Sequence, residues 1–311
     1  MSLLDRIDLG GGPSALSGAT FEALSALIYE RSGIRFRDNK RYLLESRLTR
    51  RLEALGLDGF EAYLGLLRSP RGHAEFDALF NAVTINETFF FRHADQHRHF
   101  ARELLPELIE RRLRAGGRRV RLWSAACSTG DEPYTLALLI QEEVQARYPA
   151  VAFDIVGTDI NTEVLAQARE GLYEAYAVRT IPAPLRQRYF REEAGPRGPR
   201  YRLDARLRRM VRFQRLNLIE RASPSHPKDV DAVFCANVLI YFDAASKQAA
   251  AANLYDALRP GGYLLVGTSE TLYGVTQAFQ PVRSGRAVAY LKPPPTSAPS
   301  VAAAPRSTRY A

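Results

Sequence analysis

The sequence predicts an α/β protein, with a small all-helical domain in front of a doubly wound, mostly parallel sheet and a β-subdomain inserted into the second half. Three observations carry this. From Thr20 to about Phe100 apolar residues recur only at helical spacing. From Val120 onward short apolar runs alternate with helical segments, the pattern of a parallel sheet covered on both faces. Between 186 and 215 that alternation breaks at Gly195-Pro196 and Gly198-Pro199, which read as turns of an inserted hairpin.

Taken in order, residues 1–19 are Gly/Ser/Pro-rich and expected to be flexible. The helical domain, 20–100, carries one stripe at Phe21, Leu24, Leu27 and Ile28. A second runs Leu44, Leu48, Leu52, Leu55, and a third Phe60, Tyr63, Leu64, Leu67. Residues 101–119 read as a basic helix ended by Gly116-Gly117. The sheet domain, 101–292, then offers strands at Val120–Ala125, Phe153–Thr158, Val211–Phe213, Ala232–Cys235, Tyr263–Val266 and Ala287–Leu291. Helices are expected from Pro133 to about Tyr148, from near Thr162, and up to Leu258. The Pro/Ala/Ser-rich stretch 293–311 is expected to be disordered.

Composition narrows the function. No run of about 18 apolar residues is present, so no membrane insertion is expected. The N-terminus lacks the basic and apolar segments of a secretory signal. Two cysteines, Cys127 and Cys235, fit a reducing cytoplasm and read as packing residues. A net charge of +9 invites nucleic acid, an anionic membrane or an acidic protein as partner, against the alternative of plain arginine-rich composition. The spacing of His93, His97 and His99 could hold a metal, but no cysteine or acidic motif accompanies it; no metal is expected, and the reading is a surface helix.

The first strand runs into Ala125–Tyr134, a loop of small residues closing on Asp131, Glu132 and Pro133 at a helix start. There is no G-x-G-x-x-G and no P-loop lysine, which speaks against dinucleotides and nucleoside triphosphates. The second strand ends at Asp159, where an acid commonly holds ribose hydroxyls; the competing role is a helix cap, which Asn161 or Thr162 could supply instead. Acids at neighbouring strand ends repel a pyrophosphate and attract a sulfonium with an ammonium group. The sign therefore favours S-adenosylmethionine over NAD.

These segments also carry a resemblance. Asn86–Arg92 (NETFFFR) resembles the N-x-T-x-F-F-R segment of CheR-type chemotaxis receptor methyltransferases, and Ser124–Tyr134 resembles their S-A-A-x-S-x-G-E-E-P-Y loop. Thr158-Asp159-Ile160, Asn217-Leu218, Asn237–Phe242 and Gly267–Glu270 are similar to further motifs, in the family's order. Asp131, Ala236 and Thr268 depart from the usual Glu, Arg and His. The resemblance implies a class I methyltransferase fold, S-adenosylmethionine as cofactor and S-adenosylhomocysteine as product. It implies glutamate side chains on cytoplasmic chemoreceptor helices as substrate, with residues 20–100 facing the receptor. It implies Asn86, Thr88, Arg92, Glu132, Asp159, Asn217, Leu218, Asn237 and Val238 as cofactor-binding residues, and Arg92 and Tyr241 as the pair that positions the target carboxylate.

A glutamate nucleophile has a pKa near 4.3, so it needs no general base at neutral pH. Between Arg35 and Arg51 stand seven basic and two acidic residues. Arg47, Arg50 and Arg51 on that helix are the expected contacts to an acidic receptor helix, against the alternative of a solvated face. A nucleic-acid methyltransferase would show a [DN]-P-P-[YF] segment, which is absent; a non-catalytic adaptor has no need of Arg92 and Tyr241.

Overall fold

The computed structural model describes residues 15–196, 198–221, 225–284 and 287–294. The expectations for residues 1–14 and 295–311 lie outside it, but the flexible stretch expected to reach residue 19 ends earlier, since Leu16 is buried and Ser17 caps a helix that starts at Gly18. Four helices come first: α1 (Gly18–Ser32), α2 (Arg41–Leu55), α3 (Phe60–Arg68) and α4 (Gly72–Val83). They bury the predicted stripes, including Leu24, Ile28, Leu44, Leu48, Leu52, Tyr63 and Leu67, in a core of their own. Gly33 and Gly56 end α1 and α2 with φ of 73° and 63°, the left-handed turn that a Cβ disfavours.

Then follow α5 (Ala94–His99), α6 (Leu105–Arg114), β1 (Arg119–Ala125), α7 (Asp131–Leu139), β2 (Ala152–Asp159), α8 (Thr162–Glu170), β3 (Leu172–Glu174), α9 (Ala175–Val178) and α10 (Ala183–Tyr189). The chain closes with β4 (Phe190–Gly195), β5 (Gly198–Leu203), α11 (Ala205–Arg209), β6 (Val211–Arg215), β7 (Val230–Cys235), α12 (Ala244–Ala257), β8 (Leu258–Val266), β9 (Gln280–Ser284) and β10 (Ala287–Leu291). Seven strands form one sheet in the order β6-β2-β1-β7-β8-β10-β9. All neighbours are parallel up to β8, and β10 runs antiparallel to both β8 and β9. The strand order reverses between β1 and β7, which is where such sheets leave a crevice at their carboxyl ends.

Period-two alternation covers both faces. Val120, Leu122, Phe234, Tyr263 and Leu265 pack into the core on the α5–α7 side. Trp123, Ala125, Val233, Cys235 and Leu264 pack into the opposite core with Ala250 and Leu254 of α12. Pro281 sits in β9, an edge strand whose neighbour is β10 alone, where a missing N–H costs little.

The inserted hairpin is β4–β5, and it gains a third strand from β3, so this small sheet draws on 172–174, upstream of the expected 186–215. Val211–Arg215, which holds the expected strand Val211–Phe213 and overlaps the end of the expected insert, is β6 on the large sheet, paired with Ile155–Asp159. Its neighbour is an edge of the main sheet left open by β2, which an apolar Val211 and Phe213 can cover.

Hydrogen bonds tie the helical bundle to the sheet. Asn81 Oδ1 accepts from Thr162 N at 2.9 Å, and Asn161 Nδ2 donates to Thr84 Oγ1 at 2.8 Å. Asn217 Nδ2 donates to Arg31 O at the end of α1 at 2.7 Å.

Candidate active site

The loops after β1, β2, β6 and β7 all open into one cleft, roofed by α2 and the 83–93 segment. Its empty volume, including the part open to solvent, is about 1260 Å³. Asn86, Thr88, Arg92, Glu132, Asp159, Asn217, Leu218, Asn237, Val238 and Tyr241 all line it, together with Arg47. Arg47 and Tyr241, 194 positions apart in the chain, thus meet because the loops leave the same end of the sheet and α2 lies over it.

At the β1–β2 end the geometry is fixed by backbone. Cys127 N donates to Thr158 O, and Trp123 Nε1 to Thr158 Oγ1, both at 2.9 Å. Ala126 and Ser128 hold φ of 57° and 49°, left-handed values that are costly for residues with a Cβ. That turn aims Ser128 N at Asp159 Oδ2 at 2.9 Å, while Asn161 N donates to Asp159 Oδ1 at 2.9 Å. Asp159 is buried, which pushes its carboxyl pKa up, and the amides of Asn161, Ser128 and Ile160 pull it back. Helix α8 is capped by the Asn161 side chain, which accepts from Glu163 N and Val164 N, so Asp159 is not needed as a cap.

Glu132 has one oxygen held by Ser124 Oγ at 2.7 Å and the other facing His97 Nε2 at 3.8 Å. Its neighbour Asp131 points away into the protein. Burial raises the Asp131 pKa to about 6, against the hydrogen bond from Thr129 Oγ1 at 2.6 Å. Asn86 donates to Thr84 Oγ1 at 3.2 Å and receives Ser128 Oγ on its carbonyl at 2.9 Å.

On the far side Leu216, Leu218 and Val238 make an apolar slot. The Asn217 amide is already committed to Arg31 O and to Ile219 N, which leaves backbone groups for any ligand in the slot. Asn237 adopts φ of 61°, with its N–H on Glu270 Oε2 at 2.7 Å and its Oδ1 2.7 Å from His93 Nε2.

At the cleft mouth Arg92 donates to Glu87 O and lies 5.9 Å from the Phe89 ring centre. Burial pushes the Tyr241 phenol pKa up, with Arg92 and Arg47 pulling it down and Glu87 and Glu270 raising it, so it stays a proton donor at neutral pH. Arg47 reaches in from α2 and donates to Val83 O.

The expected trio on α2 separates. Arg47 lines the cleft and Arg50 is exposed. Arg51 turns inward, its Nη2 on Glu75 Oε2 at 2.7 Å, beside the Tyr63 hydroxyl on Oε1 at 2.9 Å. This corrects its reading as a substrate contact: Glu75 is only 7% exposed and needs the cation. The histidine segment is also no surface helix. His97 is 1% exposed against Phe234, and His93 supports Asn237, because α5 packs on the sheet. The signal available was Phe100, Ala101 and Leu104, three, four and seven residues beyond His97 on one helical face. Glu270 was named within a motif without a role; it anchors the amides of Asn237 and Gly267. Both cysteine thiols are buried, which drives their pKa well up and suits packing rather than nucleophilic attack.

The donor set fits S-adenosylmethionine. A buried, amide-anchored carboxylate faces the cleft at Asp159, a second carboxylate keeps one oxygen toward it at Glu132, and an apolar slot lies across from them. Two acids suit hydroxyls and a cationic amino-acid end, and the slot suits an adenine face.

Residues 86–288 match the family model described as CheR methyltransferase, SAM binding domain, and residues 19–84 match CheR methyltransferase, all-alpha domain. The chain is 39% identical to the chemotaxis protein methyltransferase of Salmonella typhimurium over 265 residues, 85% of this chain and 88% of that protein. It is 38% identical to that of Escherichia coli, with the same coverage. With chemotaxis protein methyltransferase 2 of Vibrio cholerae it shares 34% identity, over 85% of this chain and 90% of that protein. A cleft at the switch point of the sheet, a helical bundle over it and matches over nearly all the described residues agree: the chain belongs to the CheR family of S-adenosylmethionine-dependent methyltransferases.

Proposed function

We propose that the protein transfers a methyl group from S-adenosylmethionine to glutamate side chains on the cytoplasmic helices of chemoreceptors, forming methyl esters in the cytoplasm. The observation that carries it is the polarity of this cleft: carboxylates at its floor, Asp159 and Glu132, and cations with a phenol at its mouth, Arg92, Arg47 and Tyr241. The floor suits a cationic cofactor and the mouth an anionic substrate.

S-adenosylmethionine, when bound, supplies an electrophilic methyl on its sulfonium. Asp159 accepts from the ribose hydroxyls, and its amide-anchored oxygens hold that acceptor in place. Glu132 meets the ammonium of the amino-acid end through the oxygen that Ser124 leaves open. Leu218 and Val238 flank the adenine, with backbone of Asn217 and Asn237 at its edge, while Asn86 and Thr88 close the roof.

Arg92 and Tyr241 hold the substrate carboxylate by a guanidinium and a hydroxyl donor, and so fix the approach of one oxygen to the methyl carbon. Bound S-adenosylmethionine would supply the methyl group, and Arg92 and Tyr241 would leave that oxygen free to take it up. No proton moves, since the carboxylate is already ionised and the thioether leaves neutral. Opposite charges are neutralised in the transfer, so fewer waters around them in the cleft would strengthen the attraction.

The helical segment 20–100 faces the receptor, with Arg47 and Arg50 of α2 toward its acidic helices. Labelled cofactor offered with receptor-bearing membranes and, separately, with DNA tests the assignment. Counts should appear in receptor and be released as methanol by mild alkali, as expected of an ester. Alkali-stable counts, or label in DNA, would overturn it.

A further inference from the structure

Arg92 stands on a turn that is held from outside. Phe91, just before it, has φ of 56°, a strained value for a bulky side chain. The segment beginning at Tyr176 grips this turn. Phe90 N donates to Ala177 O at 3.1 Å, Thr180 Oγ1 donates to Phe90 O, and Tyr176 Oη donates to Glu87 Oε1 at 3.3 Å. Between the two segments lies Arg179, with its guanidinium carbon 3.7 Å from the Phe89 ring centre and 3.5 Å from the Tyr176 ring centre. A further donor of the same guanidinium binds Tyr176 O. Phe89 is also the ring against which Arg92 stands, at 5.9 Å.

We propose that Arg179 is a positioning residue for methyl transfer: clamped on Phe89 and Tyr176, it fixes the ring that sets the direction in which Arg92 meets the substrate carboxylate. Two contacts make the case. The stack is close on both rings, so Phe89 cannot swing without losing a cation–π contact. Both guanidinium groups also approach one ring, so like-charge repulsion disfavours a collapse of Arg92 toward Arg179 and keeps it toward the cleft it lines. Arg179 and Tyr176 are exposed, which separates this role from that of core packing.

The inference rests on the role proposed for Arg92. Its test uses the full chain with receptor membranes and labelled cofactor, comparing Arg179→Ala and Arg179→Lys. In Arg179→Ala, kcat should fall about tenfold, the loss of two cation–π contacts, while the receptor KM and the affinity for S-adenosylhomocysteine stay within about twofold. Arg179→Lys keeps a cation over the rings and should recover about a third of the wild-type kcat. A loss seen in the receptor KM rather than kcat would make Arg179 a docking residue and overturn the proposal. So would an unchanged kcat, or an Arg179→Lys protein no better than Arg179→Ala. A second readout needs no receptor. In ¹⁵N-arginine protein with S-adenosylhomocysteine bound, the Arg92 Nε–Hε signal should shift in Arg179→Ala and return toward wild type in Arg179→Lys. A signal that stays in place rejects the positioning role even if the receptor proves to be the wrong substrate.

Discussion

His93 Nε2 lies 2.7 Å from Asn237 Oδ1, across 144 positions of sequence. Asn237 needs the support, since its left-handed backbone turns it over the cleft and its N–H is drawn the other way by Glu270. Replacing His93 with Ala should lower the affinity for S-adenosylhomocysteine by about 1 kcal/mol, the net value of one hydrogen bond, with little change in melting temperature. Titration calorimetry on folded protein decides. An unchanged dissociation constant would mean that Glu270 alone sets the loop.

Asp159 holds two backbone amides as well as facing the cleft, so its replacements separate two effects. Asp159→Asn keeps the shape but loses the charge and one of the two amide acceptors, since its Nδ2 must face either Ser128 N or Asn161 N; an affinity loss of about 1.5–3 kcal/mol for the cofactor product is expected. Asp159→Ala should add a fall in stability of about 1–3 kcal/mol, because it strands buried amides of Ser128 and Asn161. Calorimetry paired with denaturant melts reads both. Equal stability of the two variants would show that those amides find other acceptors.

Asp131 gives a pH dependence with a definite sign. Its folded pKa is raised to about 6 by burial, above the ordinary aspartate range. The native state therefore binds more protons than the unfolded one between about pH 4 and 6, and this contribution to stability is lost as pH rises through that window. Asp131→Asn cannot ionise and should be more stable than wild type at pH 7 by about 1–3 kcal/mol, with the two converging near pH 4. Urea melts at several pH values would show whether the curves converge.

The main sheet was legible because short apolar runs between helical segments, bounded by Gly/Pro turns, mark strands buried on both faces. Trp123 and Leu122, for instance, face opposite cores as their spacing implies. That Asp159 and Glu132 share a cleft was legible because they stand at strand and helix ends on one side of the sheet. What failed was partner choice. Arg51 and Arg50 are adjacent and chemically identical in the sequence, and only the fold places Glu75 beside one of them. β6 carries the same short apolar pattern as a hairpin strand, and its assignment to the large sheet depends on the edge left open by β2. His97 is polar in type yet buried, because the face it shares with Phe100 packs on Phe234.

Arg92→Ala should cut turnover more than it weakens cofactor binding, since alignment of the carboxylate matters mainly in the transition state. A kcat loss of about 100-fold or more, beside a change of only a few-fold in affinity for S-adenosylhomocysteine, is the expected pattern. Arg92 also lines the cofactor cleft, so the comparison is informative. If both quantities fell by the same factor, Arg92 would be a cofactor-binding residue and Tyr241 would be left as the positioning group.

Arg50 and Arg51 should behave in opposite ways although they are neighbours. Arg50 is exposed on α2. Arg50→Glu should raise the receptor KM, leave stability within about 0.5 kcal/mol, and weaken the salt dependence of that KM, because surface attraction is screened over roughly 8 Å at physiological salt. Arg51 instead neutralises Glu75, whose carboxylate sits among Tyr63 and the bundle core. Arg51→Glu should destabilise the chain by about 3–5 kcal/mol, because buried Glu75 loses its cation and faces a second carboxylate from the half-buried position 51. The double change Arg51→Met with Glu75→Leu, which removes both charges, should regain most of that loss. Joint reversal of Arg47, Arg50 and Arg51 would therefore report unfolding rather than recognition. The informative experiment is Arg50→Glu alone, across a salt series, with a melt of each protein beside its kinetics. A receptor KM indifferent to Arg50 and to salt would leave this face of α2 as solvated surface.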